Sequence, residues 1–313
     1  MDIGHALVKA VLQGLTEFLP VSSTAHLIFT DALFKLYGWS ERTLLGEDEF
    51  YDILLHVGTL LAVLFYFRRD LTAIFYTMIG QTNKLDVPQH LGKFDLKQLP
   101  WQGILTTITT MIFIVVMLFG SKLVMGAMGW TSAHIHDLSD FYLAHPHWVA
   151  IHLMVTGGLL WFTDSYASRR QGEGAPLTSK RAIIVGLFQG VAAIFHGISR
   201  SGSTISGGLV SGLDRLTATR YAFIISIPIF IIAPLYDYWK MRDMGLDGHF
   251  NWPVMLTGVA VSAIVGYFCI KYFIRYVATH GLKAFAIYCW AMGLLMLALF
   301  ATRGFNSIAL LIR

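Results

Sequence analysis

Charge is scarce in this sequence. Lys, Arg, Asp and Glu make up 13% of 313 residues, about half the share of an ordinary soluble domain. Apolar residues make up 55%, and several stretches run for roughly 18 or more of them, enough to cross a bilayer as a helix. Together these exclude a soluble globular protein. Cysteine is nearly absent as well. Cys269 and Cys289 both fall inside apolar runs and read as small buried hydrophobes, which excludes a disulfide framework or a metal pair. There is no Walker lysine loop, so no nucleotide is implied. The opening Met1-Asp2-Ile3-Gly4 lacks a basic start, so no cleavable signal peptide is expected. The net charge of +4 arises from Lys and Arg beside apolar runs, the pattern of a chain that meets lipid headgroups, not nucleic acid.

Six apolar runs are present, at about 51–67, 103–124, 148–164, 221–239, 253–274 and 284–302, and each reads as a full span. Breaks such as Arg68-Arg69-Asp70 and Ser168-Arg169-Arg170 separate them. Two further apolar regions, about 6–37 and 182–213, are interrupted at their middles by Ser, Thr, Gly and either Pro or His. Broken backbone at membrane depth is tolerated only where protein buries it or where it lines a watery cavity. Both regions are therefore read as re-entrant helical hairpins.

The expected fold is an all-α polytopic membrane protein with six transmembrane helices and two re-entrant hairpins. Gln13-Gly14 and Gln189-Gly190 open matching stretches, with Ser23 and Ser199 at the same distance beyond them. Three spans follow the first hairpin, so the second must enter from the opposite side. Residues 1–165 and 166–313 then form an inverted-topology repeat whose tips meet near the midplane.

Loop charges orient the molecule. Arg68, Arg69, Lys84, Lys93, Lys97, Arg169, Arg170, Lys180, Arg181, Arg215, Arg220, Arg275 and Lys283 fall on one side. The other side holds fewer: Lys9, Lys35, Arg42, Lys122, Lys240, Arg242, Arg303 and Arg313. The richer side is expected to be cytoplasmic, with both termini and the first hairpin facing outward. The segment 121–147, with His134, His136, His145 and His147, then lies outside and reads as a solvated loop before a metal site. Trp101, Trp130 and Trp239 read as interface anchors, and Asp237 as an interface residue.

Chemistry concentrates at the two breaks. Gln13 and Glu17 are spaced i, i+4 and share one helix face. A carboxylate in an apolar segment is costly and marks function. Ser22, Ser23 and Thr24 follow Pro20, and His26 lies one turn beyond Ser23. In the second hairpin, His196-Gly-Ile-Ser199-Arg200-Ser201-Gly202-Ser203-Thr204 contains an Arg that needs an anionic partner. Its planar fork suits phosphate oxygens, and free N–H groups where the next helix starts suit an anion too. Gly208-x-x-x-Gly212 reads as close helix packing. His56, four residues after Asp52, either faces the site or pairs with Asp52, and the pair is the plainer reading. An anion clamp on one hairpin and hydroxyls with a carboxylate on the other fit phosphoryl transfer.

These motifs carry a resemblance. Glu17-Phe-Leu-Pro-Val-Ser-Ser-Thr with His26, and Gly197-x-Ser-Arg-Ser-Gly-x-Thr204-Ile-Ser-Gly-Gly208, resemble the undecaprenyl-diphosphatase family, also called BacA or UppP and linked to bacitracin resistance. The stretch Phe50-x-x-x-Leu54-x-His56-x-Gly58-Thr-Leu-Leu-Ala62 is similar to the family's second block. The resemblance covers nearly the whole chain. It implies six spans, two re-entrant hairpins and an inverted repeat. It also implies hydrolysis of undecaprenyl diphosphate to the monophosphate carrier of envelope glycan synthesis, with a divalent cation (Mg2+ or Ca2+) for which Glu17 and Gln13 are candidate ligands.

Three positions depart from the family pattern. Gln13 stands where many members have Glu, Ala25 replaces a usual Gly, and His196 replaces the Pro that normally precedes Gly197. With these departures a polyprenyl or dolichyl diphosphate of another lineage fits the same residues.

The expected mechanism is attack on the terminal phosphate by Ser23, or by a water that Ser23 helps place. Glu17 takes the proton. Arg200 and the amides near Ser201 and Gly202 hold the phosphate oxygens, and Gln13, Ser22, Thr24, Ser199 and Thr204 complete the shell. His26 acts as acid for the leaving lipid phosphate or orients the shell. The expected setting is the plasma membrane, with the site opening to the outer face. The oligomeric state is left open, a homodimer being one option. A flippase for polyprenyl phosphate, with the same clamp and little hydrolysis, is the rival reading.

Overall fold

A computed structural model describes residues 2–36, 47–81, 94–127, 145–170, 174–242 and 250–303. These residues form eleven helices and no strand. In chain order they are α1 (Ile3–Thr16), α2 (Ser23–Leu36), α3 (Glu47–Tyr66), α4 (Arg68–Met78), α5 (Leu99–Ala127) and α6 (Pro146–Arg169), followed by α7 (Ser179–Ile194), α8 (Arg200–Ser211), α9 (Arg215–Arg242), α10 (Trp252–Thr279) and α11 (Lys283–Arg303). Local signals mark their ends. The Asp2 carboxylate accepts from the amides of Gly4 and His5 at the start of α1, and Asn251 accepts from Val254 N at the start of α10, each satisfying an orphan amide of a first turn.

Within the described residues, Leu99–Gly120, Arg215–Tyr236, Trp252–Thr279 and Lys283–Ala301 are long and apolar enough to cross a membrane. The helices α3 and α4, bent by 69° at their junction, make a fifth span if taken together. The protein is thus a multi-pass membrane protein. The run at 148–164 forms the 24-residue α6, but His147, His152, Thr156, Thr163 and Asp164 make it less apolar than the other spans. On α5, the exposed residues Ile108, Ile112, Val115, Val116 and Phe119 make an apolar surface suited to acyl chains. Trp101 and Trp239 are exposed near the ends of their helices, as interface anchors require.

The helices at the two breaks are short. Both α1 and α2 have 14 residues, about 21 Å at the helical rise against a hydrocarbon core of ~30 Å. The first break is held from inside the bundle: the Phe18 ring lies 5.6 Å from that of Phe223 and 6.3 Å from that of Phe230. The packing of the helices at the two breaks is crossed. Helix α1 lies against α10, and α7 lies against α5. The close approach explains Gly14, where an added Cβ would come within 2.9 Å of the Ser262 carbonyl on α10.

Several charges predicted to sit in loops are buried instead. Lys9 has no exposed surface. Its ammonium lies 2.8 Å from Asp52 of α3 and 3.3 Å from Asp31 of α2, and His5 reaches the same Asp31 at 3.2 Å. These two carboxylates supply the partners a buried ammonium needs. They also correct the reading of Asp52, whose side chain pairs with Lys9 and not with His56. Arg220 likewise is buried, with Nη2 2.6 Å from Asp70, and Arg215 binds Asp164 at 2.7 Å. The Gly208/Gly212 pair is half as predicted. Gly208 packs closely on Ala218 of α9, but Gly212 is the left-handed cap of α8, with φ 104°. Lys84, Lys93, Arg42, Arg313, Trp130, His134 and His136 lie outside the described residues.

Candidate functional site

The site is made by the two places where a helix stops inside the bundle. In the first, α1 ends at Thr16 with Glu17 as its cap, and Pro20 follows within the break. Ser22 then adopts φ 66°, the one positive φ outside glycine among the described residues. That conformation costs on the order of 1 kcal/mol for a side chain with a Cβ. It turns the chain so that Ser23 opens α2 facing back toward Glu17. In the second break, α7 ends at Ile194 and Gly197 takes φ 97°, where an added Cβ would collide with the Val149 carbonyl. Ser199 then caps α8 by accepting from Gly202 N at 3.1 Å. The two breaks touch: Ser201 Oγ donates to the Leu19 carbonyl at 2.9 Å.

Glu17 is the centre, 6% exposed. Its Oε2 accepts from Ser23 Oγ at 2.6 Å and from Gln13 Nε2 at 3.0 Å. Its Oε1 lies 3.4 Å from Arg200 Nη2. The guanidinium is stacked on Phe230, with Cζ 4.9 Å from the ring centre. Its Nη1 is buried with no hydrogen-bond partner among the described residues. A donor held beside a carboxylate with one nitrogen unspent is equipped to bind an anionic oxygen. His56 of α3 brings Nε2 to 3.9 Å from Glu17 Oε2, while its Nδ1 donates to the Asp52 carbonyl at 2.8 Å.

The structure therefore brings Gln13, Glu17, Ser23 and Arg200 into direct contact and adds His56 to them. Other predicted site residues take different positions. Ser22 Oγ accepts from Ala25 N at 3.4 Å. Ser199 Oγ lies 3.1 Å from Ser201 Oγ, and the Thr204 hydroxyl donates to the Arg200 carbonyl at 2.9 Å. The Gly202 amide is taken by Ser199, so it is spent on the cap. Thr24 is exposed. His26 is turned away from the carboxylate: Nδ1 meets the Ser22 carbonyl at 2.8 Å and Nε2 meets the Tyr288 hydroxyl at 2.7 Å. A carbonyl only accepts, so Nδ1 carries the proton and Nε2 accepts from Tyr288.

Sequence reasoning missed two partners, Tyr288 as the support of His26 and Lys9 as the partner of Asp52. Tyr288 stands in an apolar run with nothing to mark it. The signal for His56, its spacing from Asp52, was visible, but its partner was not.

A cavity of about 270 Å3, counting its open mouth, lies beside the carboxylate, with Glu17, Gln189, Arg200, Thr204, Ser226 and Phe230 among its walls. The Glu17 break, α7, α8 and α9 contribute to it.

With this geometry in view, the comparisons with known proteins decide the family. Bacitracin resistance protein BacA, as a family, matches residues 6–295. The chain belongs to the BacA family. Curated relatives agree. An undecaprenyl-diphosphatase of Alcanivorax borkumensis is 36% identical over 297 residues, covering 95% of this chain and 98% of the relative. One from Saccharophagus degradans is 35% identical over 300 residues, 96% and 98% of the two chains. One from Methanobrevibacter smithii is 34% identical over 307 residues, 95% and 97%. The BacA match takes in both breaks and the α3 stretch that carries His56.

Proposed function

We propose that this BacA-family chain is a hydrolase that removes the terminal phosphate of a polyprenyl diphosphate of the undecaprenyl type, giving the lipid monophosphate and inorganic phosphate. The observation that carries the proposal is the 2.6 Å bond from Ser23 Oγ to Glu17 Oε2, with Arg200 on the other oxygen of the same carboxylate. A hydroxyl held on a carboxylate is a nucleophile with its base. A guanidinium beside them holds the phosphate oxygens that gain charge as the bond breaks. The names of the relatives agree with this chemistry.

In this reading the terminal phosphate lies against Arg200, near the first amides of α8, with its phosphorus in line with Ser23 Oγ or with a water that Ser23 helps place. The proton passes to Glu17. The bond to the bridging oxygen breaks, and the lipid monophosphate leaves. His26 orients: its bonds to the Ser22 carbonyl and Tyr288 brace the strained turn that aims Ser23. The lipid tail extends along the apolar helix faces.

The residues present fit a divalent cation. Gln13 Oε1 is buried with no partner among the described residues, next to the Glu17 carboxylate. No group of three or more His, Cys, Asp or Glu that could hold a metal occurs among the described residues. Mg2+ is commonly held by one or two carboxylates and substrate phosphates, so Glu17 and Gln13 would hold it with the diphosphate. When bound, it neutralises diphosphate charge.

The same proposal includes the finer architecture: two re-entrant hairpins in an inverted repeat, in the plasma membrane, opening to the outer face. Its support is the crossed packing. Gly14 presses on α10 of the second half, and Gly190 presses on Phe113 of α5 in the first half. A flippase needs the clamp but no hydroxyl on a carboxylate, so the Ser23–Glu17 bond favours the enzyme.

The test is phosphate release from polyprenyl diphosphates by the purified protein in detergent. Ser23→Ala and Glu17→Gln are each expected to lower turnover by about a hundredfold or more, the scale for a lost nucleophile or base. Normal release from both would overturn the proposal.

A further inference from the structure

Apart from the Arg200 guanidinium, whose Nη1 is an unspent donor, the polar walls of the cavity beside Arg200 are acceptors. The Thr204 hydroxyl hydrogen is directed to the Arg200 and Ser201 carbonyls, at 2.9 and 3.1 Å. That of Ser226 is directed to the Phe223 carbonyl at 2.7 Å. That of Ser201 goes to Leu19. Each of these hydroxyls offers the cavity only its lone pairs.

Gln189 of α7, 1% exposed, adds the strongest acceptor. Its Nε2 donates to Thr110 Oγ1 of α5 at 3.2 Å. The orientation of the amide follows from the network, because the Thr110 hydroxyl already donates to the Thr106 and Gly186 carbonyls at 2.9 and 3.1 Å and can only accept from Gln189. Oε1 is then the free end of the amide, buried and without a partner among the described residues. A buried unpaired carbonyl is costly, and a fully ionised phosphate has no hydrogen to give it.

The occupant must therefore be a donor with at least two hydrogens and little bulk. Gln13, the other candidate cation ligand, is not among the walls of this cavity, and the unspent Arg200 nitrogen disfavours a cation on this side of Glu17. The inner room of the cavity is that of a water molecule.

We propose that this cavity is the seat of the hydrolytic water, and that Gln189 is its positioning residue. The water gives one hydrogen to Gln189 Oε1 and the other to Glu17, which leaves its lone pair for phosphorus. Its oxygen bonds to the terminal phosphorus as the bond to the lipid monophosphate breaks, or as the bond to Ser23 Oγ breaks where Ser23 has taken the phosphoryl group. The proton goes to Glu17, and inorganic phosphate leaves. In the second case Glu17 has already given up its earlier proton to solvent and passes the new one on to the departing Ser23 Oγ. The proposal rests on the phosphatase reading above.

The experiment follows both products of the purified full-length protein, inorganic phosphate and methyl phosphate, with polyprenyl diphosphate in buffer containing methanol. Water can satisfy two acceptors and still attack, whereas methanol has one hydrogen, so the wild type should disfavour methanol. Gln189→Met keeps the volume and removes the carbonyl. It is expected to lower kcat for hydrolysis by about a hundredfold, the scale of a misplaced reactant. KM should stay within about twofold, and the methyl phosphate share should rise several-fold. Ser226→Ala, which removes a second acceptor, is expected to raise that share more weakly and gives the readout if Gln189→Met does not fold.

An unchanged product share in a folded Gln189→Met protein overturns the proposal while leaving the phosphatase reading intact. So does an equal loss of kcat in Thr110→Val and Gln189→Met without a change in share, which would make Gln189 a helix tether only. Absence of hydrolysis by the wild type would instead overturn the phosphatase reading, and this proposal with it.

Discussion

Glu17 holds a charge where water is scarce, and its neighbours explain how. Three side chains, Ser23, Gln13 and Arg200, engage its two oxygens at 2.6, 3.0 and 3.4 Å, and such pairing is what makes a buried carboxylate tolerable. Arg200 is the least replaceable of the three. Its planar fork keeps one nitrogen on Glu17 while Nη1 is unspent, a division of labour that a lysine ammonium cannot reproduce. Arg200→Lys should therefore lose at least about tenfold in kcat with a smaller change in KM, because in the proposed function the clamp acts on charge that grows in the transition state. Full activity in that variant would mean that Arg200 supplies charge alone. Tyr288 is a milder case. Tyr288→Phe leaves His26 Nε2 unpaired, and a fall of a few-fold in turnover is expected if His26 only steadies the Ser22 turn. A loss as large as that of Ser23→Ala would make the His26–Tyr288 pair part of the proton path.

At the scale of elements, the first hairpin is fastened by ions as well as by packing. Lys9 of α1 lies between Asp31 of α2 and Asp52 of α3, so one buried ammonium joins three helices. Removing it leaves two half-buried carboxylates without their shared cation, Asp31 keeping only His5. Lys9→Met should cost about 3 kcal/mol, seen as a fall of roughly 5–10 °C in the apparent melting temperature in detergent. Adding Asp52→Asn should recover part of the loss, since it removes one of the stranded charges. Equal melting temperatures for Lys9→Met and wild type would show that the hairpin is held by apolar packing, the Phe18 cluster first.

At the scale of the whole molecule, charge sets orientation. The described helices gather Arg215, Arg220, Asp70 and Asp164 at one end of the bundle. The rings of Phe50, Tyr238, Phe250 and Trp252 gather at the other, with centroids 4.7 to 6.2 Å from that of Phe50. The first end is expected in the cytoplasm. Cysteine placed at Lys97, which is exposed, should resist an impermeant thiol reagent in intact cells, and cysteine at the exposed Asp2 should react. Both would be made in a background where Cys269 and Cys289 are serine. The reverse labelling pattern would invert the assignment.

Much of this architecture is legible in the chain itself, because the physics is local. Long apolar runs must become helices in lipid, where no other element satisfies its own backbone, and α5, α9, α10 and α11 fall where the runs do. The breaks at Pro20 and Gly197 are legible for the same reason: proline removes a donor, and glycine alone readily accepts φ 97°. So is the candidacy of Glu17 and Arg200 as partners at the breaks, since charge inside an apolar segment is too costly to keep alone.

What only the tertiary structure decided are the pairings between distant segments. Lys9 with Asp52, His26 with Tyr288, His56 with Glu17 and Gln189 with Thr110 each join residues tens to hundreds of positions apart. Composition says that a buried polar group must have a partner. Which partner it has depends on which helices cross, and that is settled by side-chain shapes summed over the whole bundle.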